Sequence, residues 1–242
     1  MKTLGRYMLF MGKLFVNREP IKVYWQRFVD ECIQVGNNSI FIVSIISLFV
    51  GAVIVVQMLN ALDNPLIPIT IVGFAEREMV VLEFAPTVTA IILAGKVGSN
   101  IASELGTMRI SEQIDALEVM GINSASYLVL PKIIAGIVMF PPLVILSASL
   151  SVAGGYILII LTKLMTLEDY INGLRMQFDP FTVPFALIKA FVFGFIVTSV
   201  SAFEGYHTKG GALEVGQSST KAFNNSSILI LFADLLLANL LL

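Results

Sequence analysis

The chain has few of the side chains on which most enzymes and nucleic-acid-binding proteins depend. Its 242 residues include one cysteine and one histidine, which excludes an internal disulfide, a multi-cysteine metal site and a histidine cluster. Only 13% of the residues are charged, about half of the roughly 25% typical of soluble domains, and no basic block suggests a nucleic-acid partner. In contrast, 57% of the residues are hydrophobic, and the mean hydropathy is +0.88. This composition predicts a polytopic membrane protein.

Five apolar stretches are long enough to cross a membrane, which takes about 20 residues of helix. They cover residues 39–59, 79–103, 133–162, 181–203 and 222–242. The third would reach about 45 Å as one helix, and it contains Pro141 and Pro142, so it is expected to be either one kinked helix or two segments. The predicted fold class is all-α. Residues 1–242 are expected to form a single membrane domain, with an N-terminal arm (1–36) and a transmembrane core (37–242).

Positive charge is concentrated before the first predicted span. Six lysines and arginines precede residue 39, whereas the loop at 60–78 contains only Arg77. The positive-inside rule therefore places the N-terminus in the cytoplasm, with segments 103–122 and 207–216 on the same side. One helical face at 20–31 carries four apolar residues, Ile21, Tyr24, Trp25 and Phe28. This pattern predicts a helix lying in the membrane interface, with a helix packed in the cytoplasm as the alternative.

The segment SELGTMRISEQIDALEVMGI, residues 103–122, is unusually acidic for this chain. Ser111 is predicted to cap a helix of about three turns, with Glu112 in its first turn and Gly121 just beyond its end. One face of this helix is apolar and contains Ile110, Ile114 and Leu117. Another face is acidic and contains Glu112, Asp115 and Glu118. No catalytic side chain accompanies them. The acidic face therefore predicts docking to a basic groove on a soluble protein, and a solvated connector helix is the alternative.

Residues 211–218, GALEVGQS, come close to the phosphate-binding pattern GxxxxGK[ST]. Gln217 occupies the position of the lysine that contacts phosphate, and the segment precedes a predicted span instead of following a strand. We expect a glycine-rich turn here. The chain itself is predicted to hold no ATP or Mg²⁺ and to have no enzymatic activity.

Four ionisable residues fall inside the predicted spans, where a charge is costly unless it has a partner or a function. Glu83 and Lys96 lie about 20 Å apart along the second span, too far to pair within one straight helix. Glu83 is expected to face a lipid-binding cavity, to form an ion pair with another helix or simply to lie at the membrane interface. Lys96 is expected either to contact headgroups or to extend to the interface. An interhelical ion pair of Lys189 with Asp234 is a further hypothesis.

Small residues recur at every fourth position along the second predicted span, at Ala90, Ala94, Gly98 and Ala102. This spacing lets the backbones of neighbouring helices approach closely. We therefore expect these residues to pack the second span tightly and to take no part in chemistry.

Three stretches of the chain carry a family resemblance. They are LEFAPTVTAIILAGKVGSNIASELGTM and ELGTMRISEQIDALEVMGINSASYLVLPKIIAG, which overlap, and KGGALEVGQSSTKAFNNSSILILFADLLLANLLL. These stretches resemble the MlaE/YrbE family, the permease subunits of ABC-type lipid transporters. The run EQIDAL is the specific part, and the similarity covers nearly the whole chain after the N-terminal arm. The sequence departs from the family pattern at Leu82 and Lys96, where arginine is usual, and at Phe84–Ala85, where Leu-Gly is usual.

The resemblance implies roles for particular residues. The acidic segment would be a coupling helix that enters a cleft of a cytosolic ATPase, with contacts from Arg109, Ser111, Glu112, Gln113, Asp115 and Glu118. A lipid cavity would lie between two copies of the chain, near Glu83, Lys96, Val55, Leu59 and Leu82. The expected partners are a second copy, an ABC ATPase holding ATP and Mg²⁺, an extracytoplasmic MCE-domain protein and a STAS-type subunit. The expected location is the bacterial inner membrane.

The resemblance thus implies a permease that moves phospholipid or a related lipid between the inner membrane and an MCE-domain carrier. Two other classes of function stay open at this point. An ion-coupled secondary transporter would use the four intramembrane charges as a relay, although the sequence has no evident internal repeat of the kind such folds often carry. A membrane scaffold without transport activity is the third class.

Overall fold

The computed structural model describes residues 2–15, 21–62 and 67–241, and the regular elements in these ranges are all helical. The α-helices are α1 (Lys2–Lys13), α2 (Ile21–Cys32), α3 (Asn38–Ala61), α4 (Ile71–Met79), α5 (Thr89–Leu93), α6 (Ser99–Ile110), α7 (Gln113–Val119), α8 (Ser124–Thr162), α9 (Leu167–Arg175), α10 (Thr182–Tyr206) and α11 (Ala212–Leu241). The π-helical segments Ile33–Asn37, Val80–Val88 and Ala94–Gly98 connect α2 to α3, α4 to α5 and α5 to α6. Pro86 lies in the second of these segments, where its missing N–H interrupts the regular α-helical hydrogen bonds.

Within the described ranges, five continuous helices are long and apolar enough to cross a membrane. They are Tyr24–Ala61, Ile71–Ile110, Ser124–Thr162, Thr182–Tyr206 and Ala212–Leu241. A helix satisfies its backbone hydrogen bonds internally, which is the condition for crossing hydrocarbon. The predicted class, an all-α polytopic membrane protein with five spans, is confirmed.

The third span is one uninterrupted helix, so its division into two segments is wrong. Pro131, Pro141 and Pro142 all lie inside α8. Transmembrane helices tolerate internal proline because neighbouring helices and side-chain hydroxyls can satisfy the freed carbonyls. At 39 residues, α8 reaches about 58 Å, so it extends beyond the hydrocarbon core.

The helix predicted at 20–31 continues directly into the first span. Pro20 lies outside the described residues, and α2 passes through a π-helical segment into α3. The Tyr24 hydroxyl lies 2.8 Å from Ser126 Oγ at the start of α8, and the Arg27 guanidinium lies 3.8 Å from the centre of the Tyr127 ring. The side chain of Trp25 is exposed. One side of α2 therefore packs on α8, and its location in the membrane interface stays a prediction.

The fifth span begins earlier than predicted. Helix α11 starts at Ala212, so the glycine-rich turn expected at 211–218 is wrong beyond its first residue. A carboxylate oxygen of Glu214 accepts a hydrogen bond of 2.9 Å from the N–H of Gly211. This contact satisfies one of the free donors at the helix start and favours the helix over a loop.

The spans cross where small residues bring backbones together. A Cβ at Gly51 would lie 1.8 Å from the carbonyl oxygen of Ser151, and one at Gly154 would lie 2.0 Å from that of Leu48. Helices α3 and α8 are therefore in direct backbone contact, as expected for small residues at a membrane helix interface. The largest buried cluster of apolar side chains lies between α6, α8 and α10.

Three shorter helices were not predicted from the sequence. Helix α1 packs through buried Phe10 and Leu14 near the C-terminal end of α10. At the other end of the spans, α4 and α9 cross at two glycines. A Cβ at Gly73 would lie 2.5 Å from the carbonyl oxygen of Tyr170, and one at Gly173 would lie 2.0 Å from that of Thr70.

Candidate functional site

The acidic segment forms helix α7, which is shorter than expected and begins later. Ser111 belongs to the end of α6, where its hydroxyl donates to the carbonyl oxygen of Thr107 at 2.7 Å, so its predicted role as the N-cap is wrong. Glu112 precedes the helix in a left-handed conformation, with φ of 60°. The seven residues of α7 make about two turns, not three.

The end of α7 agrees with the sequence. Gly121 has φ of +81°, a conformation that glycine adopts without steric cost. Its N–H donates to the carbonyl oxygen of Glu118 at 3.0 Å, and the N–H of Ile122 donates to that of Leu117 at 3.1 Å. These two bonds form the Schellman motif that ends many helices.

Helix α7 is fixed to the ends of the spans by one apolar and several polar contacts. Ile114 is fully buried. One carboxylate oxygen of Glu118 accepts from the hydroxyl of Ser124 on α8 at 2.9 Å and from that of Tyr206 on α10 at 3.0 Å. An ion pair of 2.6 Å joins Arg109 on α6 to Asp115. Movement of α7 would therefore pull directly on three spans.

The exposed surface of α7 and its C-cap is partly acidic and partly apolar. The side chains of Glu112, Gln113 and Asp115 are exposed, as the predicted acidic face requires. Beside them, Val119 is 90% exposed and Met120 is 66% exposed, and these two residues were missed in the sequence. Their exposure could have been predicted, because both residues lie off the helical face that contains Ile114 and Leu117. Exposed apolar side chains rimmed by charge are typical of a protein-docking surface.

Two carboxylates from two different spans meet at one buried lysine of a third span. The ammonium of Lys189 is fully buried and lies 2.8 Å from Glu83 Oε1 and 2.7 Å from Asp234 Oδ1. The contact with Glu83 is a hydrogen bond, whereas Asp234 lies off the hydrogen-bonding direction and is held as an ion pair. The carbonyl oxygen of Leu82 accepts a further hydrogen bond from Lys189 at 3.0 Å. The predicted pairing of Lys189 with Asp234 is confirmed, and Glu83 also has its partner here.

Leu82 therefore lies in this cluster with Glu83, whereas Val55, Leu59 and Lys96, the other residues expected at a lipid cavity, are separate from it. Val55 is fully buried in an apolar cluster with Val72 and Tyr170, and its role at a cavity stays a prediction. Leu59 packs on the edge of the same apolar group. Lys96 is exposed and donates to the carbonyl oxygen of Asn38.

Lys96 lies beside a polar pocket of about 550 Å³ toward the α7 end of the spans. Its walls include Glu31 and Glu104, which both form ion pairs with Lys132, at 2.5 Å and 2.7 Å. Lys132 is almost fully buried and was missed in the sequence. Lys132 follows Pro131, just before the third predicted span. The burial of its side chain depends on the surrounding helices, so the local sequence carries no signal for it.

The ladder of small residues on the second span is buried. Ala90, Ala94 and Ala102 are fully inaccessible, and a Cβ at Gly98 would lie 2.7 Å from Ser201 Oγ on α10. The structure therefore places this stripe in close contact with a neighbouring span.

A second polar group lies at the α4–α9 end and was also missed. Glu76 is fully buried and accepts a hydrogen bond of 2.6 Å from the hydroxyl of Tyr170, which also lies 3.0 Å from the carbonyl oxygen of Val152. Burial and the adjacent Glu76 carboxylate raise the pKa of Tyr170, so the hydroxyl stays a donor. Arg77 donates to the carbonyl oxygens of Leu174 and Met176. These contacts join α4 to α9.

In the described residues, five long apolar helices, ion-paired charges between them and a short helix exposed at one end are the features of a polytopic membrane protein. Among the described residues, no group of three or more His, Cys, Asp or Glu side chains could hold a metal ion.

The chain belongs to the MlaE permease family, because the family described as Permease MlaE matches residues 28–240. A relative from Rickettsia bellii, named a probable ABC transporter permease protein, is 31% identical over 99% of this chain and 92% of its own length. A second, RP096 of Rickettsia prowazekii, is 33% identical with the same coverage. The chloroplastic protein TRIGALACTOSYLDIACYLGLYCEROL 1 of Arabidopsis thaliana is 29% identical over 90% of this chain and 62% of its own length. This chain is an ABC transporter permease of the MlaE family.

Proposed function

We propose that this protein is the membrane permease of an ABC-type lipid transporter in the bacterial inner membrane. Two copies form the transport unit, and the N-terminus of each lies in the cytoplasm. The transported molecule is phospholipid or a related lipid. Family membership supports the transporter class, and the name of the Arabidopsis relative, which is that of a galactolipid, supports a lipid substrate.

The observation that carries this proposal is the exposed surface of α7. Glu112 and Asp115 offer negative charge at the N-terminal end of α7, and Val119 and Met120 offer apolar area at its C-terminal end, within two turns of them. A partner with a basic groove and an apolar floor fits this surface. The partner proposed here is a cytosolic ABC ATPase that holds ATP and Mg²⁺, while the permease performs no covalent chemistry.

In the proposed mechanism, the ATPase shifts the permease between conformations. ATP-driven association of two ATPase subunits would bring the two α7 helices together. Each α7 is bonded to α8 through Ser124 and to α10 through Tyr206, so its displacement would reorient both spans. The lipid cavity between the two copies would change shape as a result.

The proposed lipid path lies toward the α4–α9 end of the spans. The Glu83 side chain is 44% exposed even though it is ion-paired to Lys189, so it is available to a ligand headgroup. An extracytoplasmic MCE-domain protein above this end would exchange lipid with the cavity. A STAS-type subunit would complete the complex on the cytoplasmic side.

Purification from gently solubilised membranes tests the proposal. The wild-type chain should retain a soluble ATPase in stoichiometric amount, and the Glu112→Lys/Asp115→Lys variant should lose it. The matched control is Glu168→Lys/Asp179→Lys, which reverses two exposed acidic residues at the other end of the spans. This control should retain the ATPase.

A second variant, Val119→Asp/Met120→Asp, tests the apolar part of the surface and should also lose the ATPase. If neither wild type nor control retains an ATPase, the ABC mechanism fails for this chain. The ion-coupled secondary transporter would then be the leading class, with the cluster of Glu83, Lys189 and Asp234 as its relay.

A further inference from the structure

Helix α1 presents one face to the protein and another to its surroundings. The Tyr7 hydroxyl donates to Ser199 Oγ at 2.8 Å, and the ring of Phe10 lies 5.7 Å from that of Phe203, so this face is fixed to α10. The other face exposes Leu4 and Leu9 at 67% and 72%. Arg6 and Lys13 lie on the same helix. An exposed apolar edge next to basic side chains is typical of a helix at a membrane surface.

An apolar groove of about 550 Å³ runs between α1, α10 and α11. Its size falls in the range of ordinary ligand sites. Its walls are almost entirely hydrocarbon, and they include Tyr7, Ile196, Val200, Ile228, Leu229 and Phe232. Ile228 is 65% exposed and Phe232 is 58% exposed within the chain, so the groove is open along α11.

A basic pocket of about 340 Å³ adjoins this groove at the C-terminal end of α10. The two share Phe203 and Glu204 as walls, so they are contiguous. The cations that line the pocket are Arg6, Lys209 and Lys221, together with the imidazole of His207.

The two carboxylates of this basic pocket are already engaged. Glu204 accepts a hydrogen bond of 3.0 Å from Asn225 Nδ2, and Glu214 accepts one from the N–H of Gly211. Arg6, Lys209 and Lys221 make no hydrogen bond or ion pair with the described part of the chain. Three cationic side chains face two carboxylates, so the pocket offers a ligand a net positive charge of one.

His207 lies at the edge of this pocket. Burial lowers its pKa, the hydrogen-bonding contact with the carbonyl oxygen of Phe203 opposes that shift, and the positive charges of Arg6, Arg109 and Lys13 lower the pKa further. Of these three cations, Arg6 also lines the pocket. A bound anion would oppose these charges. The geometry thus combines a basic pocket with an apolar groove that opens from it.

We propose that the groove and the basic pocket together bind one anionic phospholipid from the membrane leaflet on the α7 side. The headgroup phosphate lies among Arg6, Lys209 and Lys221, and an acyl chain lies in the groove along α10 and α11. Charge complementarity selects this ligand, because basic pockets beside membrane helices recognise anionic headgroups. The site does not overlap the transport cavity proposed above. His207 is 18 residues from Lys189 along the chain, a separation of about 27 Å on a helix.

The bound lipid would lie next to the coupling helix. Tyr206 precedes His207, and its hydroxyl donates to Glu118 on α7, while the Arg109 guanidinium lies 5.9 Å from the centre of its ring. The lipid would thus hold α1 against the end of α10 that contacts α7. The proposal makes the anionic lipid a structural ligand of the coupling region, separate from the transported molecule.

Native mass spectrometry of the purified full chain, titrated with phosphatidylglycerol or phosphatidylcholine of the same acyl chains, tests this site. Wild type should prefer phosphatidylglycerol. In Arg6→Gln/Lys221→Gln, the affinity for phosphatidylglycerol should fall roughly 25-fold, given the usual contribution of each basic side chain at an anionic surface. The control Lys163→Gln/Arg175→Gln removes two exposed positive charges near α9 and should bind as wild type does.

The groove is tested by Ile228→Trp, which fills it and should weaken phosphatidylglycerol binding, beside Leu235→Trp, which alters an exposed α11 residue outside the groove. If inorganic phosphate competes with phosphatidylglycerol equally well in wild type and in Ile228→Trp, the groove adds nothing to binding, the pocket is a simple anion site, and the lipid proposal is overturned. The proposal is also overturned if wild type and Arg6→Gln/Lys221→Gln bind phosphatidylglycerol with equal affinity. A crosslink between cysteines placed at Ile228 in two copies would show that a second copy covers the groove instead. The assay needs no ATPase and no carrier protein. Its result therefore tests the lipid site even if the proposed transport function is wrong.

Discussion

Replacing Lys189 with methionine should strongly destabilise the protein. The side chain is fully buried, and it neutralises two carboxylates at once, Glu83 and Asp234, at 2.8 Å and 2.7 Å. Methionine has a similar length and no charge. The Lys189→Met variant would therefore leave two negative charges next to each other without the cation between them.

The expected cost follows from this geometry. Removing one member of a buried ion pair typically costs about 3–5 kcal/mol, because the remaining charge is left without compensation. Lys189 also loses its hydrogen bond to the carbonyl oxygen of Leu82 and its contact with the ring of Phe185, 4.6 Å away. For a chain of this size, each kcal/mol lowers Tm by about 2–4 °C, so the expected decrease is about 10 °C.

Thermal unfolding in detergent, followed by circular dichroism, measures this effect. The matched control is Lys163→Met, which removes an exposed lysine and should change Tm by less than about 2 °C. Lys189→Met/Glu83→Gln/Asp234→Asn removes all three charges and should recover most of the loss. If Lys189→Met alone keeps the wild-type Tm, the cluster is not held by charge neutralisation, and the reasoning is refuted.

Three further predictions concern other parts of the chain. Gly51→Ala should destabilise by about 1–3 kcal/mol, because the new Cβ would meet the Ser151 backbone, whereas Gly216→Ala, which meets nothing within 4 Å on α11, should be neutral or stabilising in the same denaturation assay. Tyr170→Phe should cost about 1–3 kcal/mol, because Glu76 would lose its hydrogen bond, and unchanged Tm would contradict this role. Burial and nearby positive charge lower the pKa of His207, so the unfolded state binds more protons below about pH 6.5. Tm should therefore fall as the pH decreases from 7 to 5, and His207→Gln should flatten that dependence.

The arrangement of spans was readable from the sequence because it depends on local composition. A run of about 20 apolar residues is unfavourable in water, and in hydrocarbon a single segment can satisfy its backbone hydrogen bonds only as a helix. The five spans therefore follow from the positions of the apolar runs. The end of α7 was also readable, because Gly121 alone in that stretch adopts a left-handed conformation at no steric cost.

Other features depend on tertiary contacts and had no local signal. The sequence places Lys189 inside a span, but only the crossing of three helices brings it to both Glu83 and Asp234. Lys132 is buried because α2 and α6 supply carboxylates on either side of it. The start of α7 was misjudged because Ser111 bonds back to α6 and leaves Glu112, a residue without glycine's freedom, in the left-handed turn.

Helix α10 connects the two functional ends of the molecule. Its C-terminal residue Tyr206 contacts Glu118 on α7, and Lys189, in the same uninterrupted helix, neutralises the carboxylates beside the proposed lipid path. The helix is packed over most of its length, with Gly194 against Gly136 of α8 and Gly205 against Ala102 of α6. Contacts between backbones this close resist bending, so a displacement at one end is carried to the other as motion of the whole helix. A change at the α7 surface can therefore alter the ion pairs around Lys189 through displacement of α10 as a whole.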